Sequence, residues 1–172
     1  MQKYSVFRTR LLTGMLLAAV LGTLFHFIYD WTGQSWLAGL FFPVNESVWE
    51  HMKLVFWPMV LLNLYFTSMY KDNDYHVEPA VLLGTVVGLI SIPTLFYTYR
   101  GFLGYGVSWV DVVIYYVSLL FALLAVLHLV KHMFWKEGRG ATVFLWIVHL
   151  VFALAFFWFT YHPPGCGIFQ PY

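Results

Sequence analysis

The side chains that could do chemistry gather mainly around one short motif. His26 and Asp30 stand one helical turn apart, and Glu46, Glu50 and His51 follow on either side of Ser47, with His162 far along the chain. Imidazole and carboxylate together suit zinc, manganese or iron better than calcium, and the same groups serve as general acids and bases. Glu46 and Glu50, at i and i+4, repel each other if both are ionised. A proton, Lys53, a histidine or a bound cation must offset that repulsion. The plainer readings are a helix cap for Glu50 and a hydrogen-bonded helix pair for His26 and Asp30.

A second set is His128-x-x-x-His132, with His149 further on. Two histidines at i and i+4 share a helix face and can grip one metal ion. His128 and His149 on neighbouring spans could also ligate haem. His132 beside Lys131 equally fits a polar tip at an interface, and His149 a bond to a carbonyl across helices. Asp111, Tyr115 and Ser118 form a weaker stripe, with Arg100 available to pair with Asp111. The single cysteine, Cys166, excludes an internal disulfide and a Cys-x-x-Cys redox pair. Nothing resembles a nucleophile elbow, a P-loop or a dinucleotide fingerprint.

These groups must be carried by membrane helices. Of 172 residues, 61% are hydrophobic and only 10% are charged. Five apolar stretches, over about residues 11–29, 48–70, 79–99, 109–131 and 140–161, meet or approach the roughly 20 residues that a helix needs to cross a bilayer. The expected fold is therefore all-α: one domain over residues 1–172, a bundle of five transmembrane helices in a lipid bilayer. Lys3, Arg8 and Arg10 before the first apolar run resemble a signal peptide, but the run continues to Ile28 and reads as the first span. A net charge of +1 offers no basic face to nucleic acid. Trp31, Trp36, Trp49, Trp109, Trp135 and Trp158 sit near the ends of the apolar runs, as an interfacial belt requires.

The connection from Trp31 to Ser47 is too apolar for a solvated loop and too short to cross, which predicts a re-entrant or interfacial segment. Pro43 ends it, and Ser47 with Glu50 matches a capping box. Gly14, Ala18 and Gly22 recur every fourth position, as do Ala80, Gly84 and Gly88, which predicts close helix packing. Continuing the first stripe reaches His26 and then Asp30, which points both into the bundle. Pro58 and Pro93 interrupt their spans and should kink them.

Seven of the nine Lys and Arg residues (Lys3, Arg8, Arg10, Lys71, Lys131, Lys136 and Arg139) fall on one side of a five-span arrangement; Lys53 and Arg100 fall on the other. Basic loops stay cytoplasmic. The N-terminus is thus expected inside and the C-terminus outside. Asp72, Asp74, His76, Glu78, His128, His132 and Glu137 then lie on the inner side, and the His26–His51 region faces outward.

The stretch Pro43-Val44-Asn45-Glu46-Ser47-Val48-Trp49-Glu50-His51-Met52-Lys53 resembles the signature of a family of small bacterial integral membrane proteins, a domain of unknown function. His26 before an aromatic segment and the Tyr161-His162-Pro163-Pro164 tail are similar too. Members of that family often end in Phe-x-Asp-Pro, where this chain has Phe169-Gln170-Pro171 without the Asp. The resemblance implies a bacterial plasma membrane and no particular activity.

Three functions follow as expectations. The first is a metal-dependent site acting on a lipid or other amphiphile, with His26, Asp30, Glu46, Glu50, His51 and His162 as the ligand pool and Glu46, Glu50 and His51 as catalytic groups. The second is a non-catalytic component that binds or transports a cation or proton. The third is a haem or quinone electron carrier using His128 and His149.

Overall fold

The computed structural model describes residues 2–70, 77–132 and 139–172. Lys71, Asp72, Asp74, His76, Lys136 and Glu137 lie outside the described residues. The helices are α1 (Gln2–Trp31), α2 (Trp36–Phe41), α3 (Val48–Met69), α4 (Val77–Leu103), α5 (Ser108–His132) and α6 (Arg139–Tyr161), followed by a 3-10 turn, Gly167–Phe169. Five of them, all but α2, are long and apolar enough to cross a membrane. No strand occurs among the described residues, apart from one isolated bridge between Ser47 and Pro171.

α3 is the axis of the bundle and touches α1, α4, α5 and α6. Its core residues include Phe56, Met59 and Phe66, which are shut off from solvent together with Phe7 of α1 and Phe156 of α6. The outer faces of α1, α5 and α6 remain apolar and exposed, as with Leu16, Leu124 and Leu154. Such faces are stable against acyl chains and would not be against water.

The two stripes of small residues do what their spacing implies. A Cβ at Gly22 would collide with the Tyr115 hydroxyl of α5 and the Leu54 carbonyl of α3, so α1 can approach both only because no side chain is there. Gly84 plays the same part between α4 and α5, against Val126 and the Ala122 carbonyl. Tyr115 Oη then donates to Ala19 O at 3.0 Å, tying α5 to α1.

The chain leaves α1 through Gly33 and Gln34, both left-handed (φ 67° and 60°). The segment expected to re-enter or lie at the interface contains the six-residue helix α2. It rests on α6, where Tyr161 Oη donates to Trp36 O at 2.6 Å. Pro58 and Pro93 lie inside α3 and α4 without ending either helix.

Candidate functional site

The start of α3 sets the geometry of the site. Ser47 is its N-cap, and its hydroxyl accepts from the Glu50 backbone N–H at 3.3 Å. The reciprocal half of the capping box is not made. Ser47 N–H donates to Asn45 Oδ1 at 2.9 Å, and the Glu50 side chain is used elsewhere. Glu46 falls just before the helix, so it and Glu50 are not one helical turn apart and do not face each other.

Glu50 turns into the protein. Its Oε2 accepts from Lys53 Nζ at 2.7 Å and from Val44 N–H at 3.0 Å. Lys53 is fully buried and has all three protons satisfied, by Glu50, Gly39 O at 2.8 Å and Thr160 Oγ1 at 2.6 Å. This pair joins α3 to α2, to α6 and to the loop at Val44. It offsets the Glu50 charge and holds the segment that carries Glu46.

His51, the next residue, turns the other way, toward α1. Its Nδ1 lies 2.9 Å from the Ser47 carbonyl. A carbonyl oxygen can only accept, so Nδ1 carries a proton. The other nitrogen, Nε2, therefore faces Glu46 Oε2 at 3.3 Å. From α1, His26 Nε2 lies 3.6 Å from Glu46 Oε1, and the two imidazole rings are 5.4 Å apart. One ligand atom from each of His26, Glu46 and His51 can be chosen so that all three lie within 4.8 Å of one another. The hydrogen bond from His51 holds the Glu46 carboxyl below its ordinary pKa, against an opposing effect of partial burial.

Asp30 and His162 of the expected ligand pool fall outside this three-residue group, as do His128 and His149, the pair expected for a haem or quinone. Asp30 is exposed, with Gln34 as its neighbour at 3.4 Å. His162 is exposed and stacks on Trp158 with ring centroids 4.4 Å apart. His128 is exposed and lies against His132 at 4.8 Å. His149 is buried, stacked on Phe56 at 5.7 Å, with Nδ1 2.8 Å from its own helix at Leu145 O. Its Nε2 is buried without a hydrogen-bond partner among the described residues.

The cluster opens onto a cavity of about 610 Å³ between α1, α3, α4 and α5. On the wall shared by α4 and α5, Arg100 Nη2 lies 3.3 Å from Asp111 Oδ2, the ion pair that the sequence suggested. Asp111 also accepts a short hydrogen bond from Tyr99. Tyr172, from the C-terminal tail, lines the cavity and lays its ring 4.1 Å from the Arg100 guanidinium carbon. Sequence reasoning placed neither Tyr172 nor Arg100 beside His51. Arg100 left a signal, as one of two cations at the cation-poor end. Tyr172 left none, because its placement depends on the fold of the tail.

The chain belongs to a family described as "Family of unknown function (DUF6512)", whose match covers residues 1–171. No curated protein and no solved structure matches it.

Proposed function

We propose that this family member is a multi-pass protein of a bacterial plasma membrane, N-terminus inside and C-terminus outside, and that His26, Glu46 and His51 hold a divalent metal ion at a site acting on a lipid or other amphiphile. One observation carries this reading. The Ser47 carbonyl fixes the Nδ1 proton of His51, which leaves Nε2 directed at a carboxylate oxygen 3.3 Å away. Two acceptors cannot face each other at that distance without a cation between them, either a second proton on the ring or a metal. A metal-binding histidine usually has its other ring nitrogen anchored in this way. A second imidazole on the far side of the same carboxylate completes a three-ligand set, the number that catalytic zinc sites use while keeping a position open.

A metal held there supplies Lewis acidity and an activated water, which suits a hydrolytic or lyase step. Of the residues expected to do acid–base work, Glu46 and His51 face the cavity. Glu50 is engaged by Lys53 and supports the segment from beneath. Detergent-purified protein exposed to zinc, manganese or iron(II) should retain one equivalent by elemental analysis. His51→Ala should lose it and His162→Ala should keep it. Absence of bound metal after all three exposures would remove this reading.

The second reading is a cation- or proton-coupled transport role, in which Glu46 takes up the cation or proton from the cavity it shares with His26 and His51. In that case proteoliposomes should show a pH-dependent flux that Glu46→Gln abolishes.

A further inference from the structure

We infer that the 610 Å³ cavity takes an amphiphile with a net-anionic, phosphate-type headgroup, which seats between Arg100 and the His26–Glu46–His51 cluster while its acyl chain leaves sideways between α1 and α5. The inference rests on the metal reading, which supplies part of the positive charge.

The charge balance comes first. Two neutral imidazoles and one carboxylate leave a divalent ion with one unit of positive charge, and Arg100 and Asp111 cancel. A cavity with apolar walls and a surplus positive charge favours an anion. Arg100 is prepared to receive one. Its guanidinium packs against two neighbouring rings on one side, Phe96 at 4.2 Å and Tyr172 at 4.1 Å. Its Nε donates to Tyr99 Oη at 3.1 Å and its Nη2 to Asp111, while Nη1 has no hydrogen-bond partner among the described residues. A Cβ at position 106 would collide with this guanidinium, so Gly106 leaves it room. Such a planar donor edge, held by Asp111, Tyr99 and the two rings packed against it, suits a phosphate oxygen better than a mobile lysine would.

The route for the chain comes from the walls. Phe27 of α1 and Val112 and Tyr116 of α5 line the cavity and are 46%, 57% and 45% exposed. Half-exposed apolar side chains on the cavity wall favour a mouth that faces acyl chains rather than water. Thr23, one turn before His26, hydrogen-bonds Tyr116 at 3.0 Å and marks the deep end of the opening. The opening at Phe27, Val112 and Tyr116 thus lies beside the polar groups and ends at the Thr23–Tyr116 bond, so a chain whose headgroup is seated among them leaves sideways.

The test uses full-chain protein in detergent, loaded with zinc, with metal counted by elemental analysis and bound ligand by native mass spectrometry. The probes are dioleoyl phosphatidate, dioleoyl phosphatidylcholine and glycerol 3-phosphate. Phosphatidate should bind roughly tenfold or more tightly than phosphatidylcholine, and Arg100→Gln should remove that preference. Val112→Trp, which leaves every charge in place, should weaken phosphatidate without lowering the metal content. Metal-loaded protein that binds both lipids equally would overturn the inference alone. Glycerol 3-phosphate binding as tightly as phosphatidate would overturn the route for the chain. Protein without metal would instead show that the underlying metal reading fails, and the inference with it.

Discussion

Lys53 and Glu50 form an ion pair at 2.7 Å from which solvent is almost wholly excluded, with 0% and 2% of their side chains exposed. The pair sits one helical position from His51, yet it takes no part in the cluster. Its ammonium bonds the Gly39 carbonyl and the Thr160 hydroxyl, so three separate parts of the chain meet on one charge. The two carboxylates of the motif are thereby divided between two tasks. Glu50 holds the structure and Glu46 faces the cavity.

Removing one partner of that pair should be costly. Lys53→Met leaves the Glu50 carboxylate buried and uncompensated, and the expected loss is about 3–5 kcal/mol. The double variant Lys53→Met, Glu50→Gln should recover part of it. Unfolding followed by circular dichroism in detergent gives the comparison. A loss below about 1 kcal/mol for the single variant, as for a surface pair, would contradict the clasp.

Metal affinity should separate the two glutamates. Glu46→Gln removes a ligand and should weaken zinc binding by more than the roughly 10–100-fold typical of an outer-shell change. Glu50→Gln should lower stability while folded protein still binds one equivalent. Calorimetric titration of both variants reads this directly, and equal loss of affinity in the two would reject the division of roles.

The acid limb of stability should depend on Glu46. Its folded pKa lies below the ordinary value of 4.5 because His51 hydrogen-bonds the carboxylate. A depressed carboxylate stabilises the fold above its unfolded pKa, and that contribution is lost as pH falls through the lowered folded value. In metal-free protein, the melting temperatures of wild type and Glu46→Gln should differ above pH 4.5 and converge as the pH drops below it. A difference that grows toward low pH would carry the wrong sign.

Close approach at Gly22 should matter to the site as well as to the fold. Gly22→Ala sets a methyl against the Leu54 carbonyl and the Tyr115 hydroxyl. One of these is backbone and cannot turn aside, so α1 must shift. The expected cost is about 1–3 kcal/mol. Because His26 follows one turn later on the same helix, zinc affinity should fall too. Gly140→Ala, with nothing within 4 Å of the added methyl among the described residues, serves as the control and should do neither.

Much of the architecture can be read from residue types because lipid imposes it. Long apolar runs have no stable alternative to helices that satisfy their own backbone, so five spanning helices follow from hydropathy alone. The stripes at Gly14–Gly22 and Ala80–Gly88 mark where helices touch, and Ser47 marks where α3 begins, since both depend on neighbours within a few positions. His26 follows its stripe to the cluster, whereas Asp30, the next step along, is exposed near the end of α1.

The division of labour inside the motif was not legible in that way. Successive residues on a helix point about 100° apart, so Glu50 and His51 must serve different neighbours, and only the packed bundle decides which. α6 and α2 lie on the Glu50 side and bring Thr160 and Gly39 to Lys53. α1 lies on the His51 side and brings His26 to Glu46. Arg100 and Tyr172 join the same cavity from α4 and from the C-terminal tail. The sequence determines which side chains are costly to leave in a membrane. Tertiary structure alone decides which of them find one another, because each partner comes from a different helix or segment, and no local spacing encodes that meeting.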